Sequence, residues 1–222
     1  MLHRLILSFA LFLTFAVAVP APAATPTRPP KSAVTVNAVA VDAPDVDTNG
    51  SGCRQGTVGV AFNSDNSIMT IILDDFQAAI GPQAGSYKKR AFCRVNATIT
   101  SPGWAFDVSS VDFRGYVNLD GGVNASLVSR WKWIDTSKGV DLKGKGNINK
   151  KLAGPYSDDF LLHKDGESST GEQSACQKAS AMFQISISAS LSASSSTVAG
   201  FVKGDSVDST FGEILNLGWR KC

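Results

Sequence analysis

Residues Ser180–Ser192 read SAMFQISISASLS, and this stretch decides the fold. Ala181, Phe183, Ile185, Ile187, Ala189 and Leu191 fall in one phase. Ser180, Gln184, Ser186, Ser188, Ser190 and Ser192 fall in the other, with Met182 as the exception. A period of two sustained this long puts apolar side chains on one face of a strand and polar ones on the opposite face. A helix, with its period near 3.6, does not produce it. One buried face and one polar face is the mark of an antiparallel sheet. The polar face is serine-rich and uncharged, so it is open either to solvent or to a partner.

The same alternation recurs outward from this strand. Val58, Val60 and Phe62 share a phase, and Ile68 to Leu73 is nearly all apolar. Asn63-Ser64-Asp65-Asn66 between them is turn chemistry, so the two form a hairpin. Arg94 to Thr100 buries Val95, Ala97 and Ile99 and turns Asn96 outward. Trp104 to Asp120 is long, and its phase slips at Ser109-Ser110, which predicts a β-bulge or a bend between sheets. Asp120-Gly121-Gly122 turns the chain into Val123, Ala125 and Leu127, with Asn124 outside. Lys138 to Lys151 carries five lysines and three glycines and reads as a mobile basic loop or irregular hairpin, a solvated surface or a contact for a polyanion or membrane. Gly154 to Leu162 predicts a short strand, His163 to Ser174 a polar loop, and Leu215, Leu217 and Trp219 a closing strand. Helical signal is scarce; Asp74 to Ala79 has room for one turn. The expected fold is all-β, an antiparallel β-sandwich or jelly roll stapled by two disulfides.

The ends of the chain have other compositions. Residues 1–24 read as a secretory signal peptide: His3 and Arg4, an apolar run from Leu5 to Val19, then small residues around Ala21-Pro22-Ala23. The run is shorter than the ~20 residues needed to span a bilayer, and no later stretch is apolar enough, so no transmembrane segment is expected. Residues 25–49 are rich in Pro and Ala and lack aromatics, which predicts a disordered linker or propeptide. Within it, Val34 to Val41 alternates weakly enough to be a strand. Residues 50–222 remain as one secreted domain. They hold 18 Lys and Arg against 16 Asp and Glu, which argues against a nucleic-acid partner.

Cys53, Cys93, Cys176 and Cys222 all lie in that domain, an even number suited to an oxidising compartment. Of three pairings, Cys53–Cys93 with Cys176–Cys222 is favoured, one bridge near each end. Each is worth on the order of 4 kcal/mol in the chain-entropy picture. No C-x-x-C spacing or neighbouring histidine supports a metal site, and no motif implies a cofactor. Asn49, Asn96 and Asn124 begin N-x-[ST] glycosylation triplets.

No catalytic set stands out. His163 is the one histidine after the signal peptide, and no G-x-S-x-G elbow is present. The aspartates, Asp75 and Asp159 among them, sit mostly beside turns, where they cap backbone; a paired-carboxylate hydrolase needs two of them across one cleft. Asp112 and Arg114 lie two apart, on one strand face. Trp131 and Trp133 also share a face, and with Tyr116 they are candidates for a flat carbohydrate platform. The candidate ligand-binding residues are therefore Trp131, Trp133, Tyr116, Asp75, Asp112, Arg114 and Asp159.

Several short motifs occur together in a particular order. They are Gly50-Ser51-Gly52-Cys53, Asp74-Asp75-Phe76, Cys93, Pro102-Gly103, Asp112-Phe113-Arg114-Gly115-Tyr116, Ser157-Asp158-Asp159, Cys176, Asp205-Ser206-Val207-Asp208 and Trp219-Arg220-Lys221-Cys222. In that order they resemble a family of small secreted proteins of fungi and bacteria, the domain of unknown function four-three-six-zero. The resemblance implies secretion, two disulfides, a β-rich fold and a filamentous fungal source, with no catalytic residues to carry over. Two departures are Arg54, where proline usually follows the first cysteine, and Phe113, where tyrosine is common. The expected function is a non-enzymatic extracellular or cell-wall protein that contacts a wall polysaccharide or a host surface component. The alternative is a carbohydrate-active protein, either a glycan-binding module or a hydrolase using paired Asp.

Overall fold

The alternating stretches become strands, and the computed structural model pairs them into two antiparallel sheets. It describes residues 27–41, 52–135, 137–141, 145–165, 181–204 and 211–222. The strands are β1 (Thr35–Val41), β2 (Val58–Phe62), β3 (Ile68–Leu73), β4 (Ala78–Ile80), β5 (Arg90–Thr100), β6 (Trp104–Leu119) and β7 (Val123–Asp135). They continue with β8 (Val140–Asp141), β9 (Gly146–Ala153), β10 (Tyr156–Asp165), β11 (Ala181–Ala193), β12 (Gly200–Lys203) and β13 (Phe211–Lys221). The first sheet runs β1-β5-β11-β7, with β8 and β9 both on β7. The second runs β2-β3-β13-β6-β12-β4, with β10 on β6. The architecture is the antiparallel sandwich that the alternation predicts.

The stretch that decided the fold, β11, lies between β5 and β7. Phe183, Ile185 and Ile187 are fully buried, while Ser186, Ser188 and Ser190 face outward. The phase slip in β6 is a bulge. The β6–β13 register shifts between Asn216 and Leu217, leaving Ser109 as the extra residue, and its hydroxyl donates to the Asn216 carbonyl at 2.9 Å. Between the sheets, Phe106 packs on Trp133 at 4.5 Å and Trp219 at 4.8 Å, and Phe113 packs on Phe211 at 4.5 Å. Phe113 is itself buried, so a tyrosine there would have to find a partner for its hydroxyl in the core.

One polar pair crosses this core. Glu213 of β13 is fully buried, and Ser129 of β7 donates to its Oε1 at 2.5 Å. Oε2 has no hydrogen-bond partner among the described residues. Burial pushes the Glu213 carboxyl up to about 8, with the Ser129 hydrogen bond opposing it.

Four expectations change. Within the stretch expected to be a disordered linker, the weakly alternating segment Val34 to Val41 does form a strand: Thr35–Val41 pairs with β5 at the sheet edge. Asn66 fastens the approach to it, donating to the Pro30 carbonyl at 3.1 Å, and Arg28 pairs with Asp65. Gly146–Ala153 is a regular strand on β7 rather than a mobile loop, because Ile148 is buried and eight residues find backbone partners. His163 lies within β10 rather than in a loop. Asp74 to Ala79 holds a turn and the start of β4 rather than a helical turn.

The Cys53–Cys93 bridge is present, with Cα atoms 5.4 Å apart. Cys222 is disulfide-bonded too. Cys176 lies outside the described residues, as do the signal peptide, Asn49 and the Asp205–Asp208 motif.

Candidate functional site

The outer face of the second sheet gathers most of the polar candidates. Alternation in β6 turns Asp112, Arg114, Tyr116 and Asn118 outward, and the neighbouring strands add a residue beside each. On one side, β10 sets His163 beside Asp112, Leu161 beside Arg114, Asp159 beside Tyr116 and Ser157 beside Asn118. On the other, β12 sets Lys203 beside Tyr116 and Phe201 beside Asn118. Gly115 keeps these strands close: a Cβ there would stand 2.7 Å from the Phe160 ring and 2.9 Å from the Lys203 carbonyl oxygen.

The centre of the face is aromatic. Tyr116 and Phe201 have ring centroids 5.8 Å apart, tilted by 36°. The Lys203 ammonium lies 5.8 Å from the first ring centre and 5.7 Å from the second, within cation–π range. The Tyr116 hydroxyl and the Ser157 hydroxyl are 2.9 Å apart, and the Asn118 amide donates to Ser157 at 3.2 Å. Hydrogen bonding from Ser157 and then Asn118 holds the Tyr116 phenol below the ordinary tyrosine range. Leu161, 64% exposed, extends the apolar surface.

The far end of the face is a polar cluster. His163 Nδ1 stands 2.7 Å from Asp112 Oδ1, and Asn216 donates to Asp112 Oδ2 at 3.3 Å and to the Ser110 hydroxyl at 2.9 Å. Asp112 thus orients an imidazole. Asp112 and Asp159 stand too far apart to act together as a paired-carboxylate set. Asp159 sits beside Tyr116, four residues along β6 from Asp112, or ~13 Å at ~3.4 Å per residue. Glycosidases need their two carboxyls roughly 5–10 Å apart. Among the described residues no group of three or more His, Cys, Asp or Glu converges to hold a metal ion.

Three candidates fall elsewhere. Trp131 and Trp133 do share a face, but it is the inner one: they are 5% and 1% exposed. Trp133 packs on Phe106 and Phe183, and the Trp131 ring covers Gly146, where a Cβ would strike it. They are core residues and form no exposed platform. Asp75 lies in the turn after β3, where the Arg54 guanidinium donates to it from Nε at 3.1 Å and also from Nη2. Arg54 is therefore Asp75's partner.

Phe201, Lys203, Asn118, Ser157 and His163 join the face although none is among the candidate ligand-binding residues read from the sequence. Phe201 and Lys203 alternate over only four residues of strand, too few for the period to show.

These features define an antiparallel β-sandwich with an aromatic and polar outer sheet face. Residues 40–222 match the family described as Domain of unknown function (DUF4360), and the chain belongs to that family. It is also similar to an uncharacterized secreted protein of Arthroderma benhamiae, at 30% identity over 174 residues, covering 78% of this chain and 68% of that one. Among solved structures it is similar to TmCBM61 in complex with β-1,4-galactotriose, at 10% identity. That match covers 87% of this chain and 91% of the other with a TM-score of 0.21, too low to carry an argument. No helix among the described residues is long and apolar enough to cross a membrane.

Proposed function

We propose that this protein is exported and works without catalysis, by holding a neutral wall polysaccharide such as chitin or glucan on the outer face of β12, β6 and β10. The observation that carries the reading is the Tyr116–Phe201 pair, half-exposed on the outer sheet face and ringed by hydroxyl, amide and ammonium groups. Sugar rings have apolar faces and hydroxyl rims. Aromatic faces take the first, and Ser157, Asn118, Asp159 and Lys203 offer donors and acceptors to the second. The secreted relative is consistent with export, and so is the described disulfide. In this reading the second bridge joins Cys176 to Cys222, and Asn124, exposed on β7, is open to glycosylation.

Retention on insoluble chitin and glucan tests it. Tyr116→Ala/Phe201→Ala is expected to weaken retention at least tenfold, about 1.4 kcal/mol, without moving the melting temperature by more than a few degrees. Wild-type protein that passes unretained over every neutral wall polymer defeats the proposal. So does release of soluble sugar during the incubation, which would return the hydrolase.

A further inference from the structure

We propose a second binding site, on the opposite side of the molecule, that takes an anionic polysaccharide. The outer face of the first sheet is a trough flanked by cations. Arg94 of β5 and Arg130 of β7 stand on either side of Ser186 of β11. Four residues along, past Ser188, Arg90 stands beside Ser190, and Lys151 of β9 lies beyond Ser126 on the other side. The flanking strands are two inter-strand spacings apart, about 10 Å, so short hydroxyls floor a channel whose walls are long basic side chains. At one end it opens into a concavity of about 500 Å³ lined by Arg94, Arg130, Lys132 and Lys145.

The sign of charge is one-sided. Lys132 is held by Asp141 at 2.8 Å, whereas Arg90, Arg94, Arg130, Lys145 and Lys151 have no carboxylate partner among the described residues. In a chain whose net charge is +2, this concentration on one face is local. It creates a positive potential that attracts polyanions. Two of the guanidiniums are already positioned: Arg94 and Arg90 lie 5.5 and 5.9 Å from the Phe92 ring centre, and Arg94 Nε donates to Ser186 at 3.4 Å. A guanidinium held this way presents a planar fork to carboxylate or sulfate.

The floor selects the class of polymer. Serine hydroxyls and the Gln184 amide between the cations pair with sugar hydroxyls. A nucleic acid held single-stranded needs open aromatic faces for stacking; of the two rings that line the concavity, Phe92 is covered by two guanidiniums and Trp131 is only 5% exposed. An acidic polysaccharide, carrying carboxylate or sulfate, satisfies both features. This inference rests on its own residues, independent of the neutral-glycan reading.

The test is affinity electrophoresis of the exported full-length chain, before and after removal of N-linked glycans, since Asn96 and Asn124 stand on this face. The gels contain polygalacturonate, its carboxyl-reduced neutral form, dextran sulfate or duplex DNA; sedimentation with phosphatidylserine vesicles is run in parallel. Retardation by polygalacturonate, by dextran sulfate or by both, and not by the reduced polymer, is expected in at least one glycan state. The two anionic arms separate carboxylate from sulfate recognition. Binding is expected to weaken at least tenfold between about 0.05 and 0.2 M salt as charges are screened. Arg94→Ala/Arg130→Ala, checked by far-ultraviolet spectrum, should lose at least tenfold in affinity while neutral-polymer retention is unchanged. The exposed Arg130→Glu change is the second variant. Equal retardation by the reduced polymer, no loss in either variant, or tighter binding to DNA or vesicles overturns the proposal.

Discussion

Replacing Glu213 by glutamine is expected to stabilise the protein at pH 9 and to leave it nearly unchanged at pH 5. The carboxyl is fully buried between the sheets, its one hydrogen bond comes from Ser129, and burial pushes it up to about 8 from an ordinary 4.5. The folded state therefore keeps the proton where the unfolded chain has released it. The stability this provides is fully present below pH 4.5, is lost as the pH rises, and is gone above pH 8. At ~1.4 kcal/mol per pH unit the total is roughly 5 kcal/mol, an order-of-magnitude figure. For a domain of this size it corresponds to roughly 10–20 °C in melting temperature. Other carboxylates also titrate, so the measured quantity is the difference between Glu213→Gln and wild type across pH. Glutamine keeps an acceptor for Ser129 and never ionises. A difference that stays constant from pH 5 to pH 9 would show that Glu213 titrates normally.

Trp133→Ala is expected to cost about 3–5 kcal/mol of stability, the range for removing a large aromatic from a packed core. Trp133 is 1% exposed and touches Phe106 at 4.5 Å and Phe183 at 4.8 Å, rings contributed by both sheets. Its loss opens a cavity at the contact that joins the two layers. Urea unfolding should show a lower midpoint. Polysaccharide retention by the fraction that remains folded should be unchanged. A variant as stable as wild type but unable to bind would put Trp133 back on a ligand platform.

The Trp131/Trp133 pair shows where reading the chain stops. A period of two says that residues share a face, and it does not say which face meets the partner sheet. In β11 the answer was legible, because serines oppose isoleucines. In β7 the opposite face holds Ser126, Arg130 and Lys132, so the tryptophans belong with Val123, Ala125 and Leu127 inside. The bulge at Ser109 and the hairpin turn at Asn63–Asn66 were local enough to read directly. Strand β1 shows only as weak alternation, because its apolar face is half-buried and its anchor comes from Asn66. Of the site, Asp112, Arg114, Tyr116 and Asp159 were visible as residues. Their grouping was not, because it depends on β10 and β12 joining opposite edges of β6.

The most direct check on the binding account is an amide chemical-shift titration of the protein with soluble chitin and glucan oligomers. Perturbations should centre on Tyr116, Asn118, Ser157 and Phe201, spare β11, and leave the oligomers intact. A spectrum unmoved by every oligomer, or oligomers shortened during the titration, would contradict it.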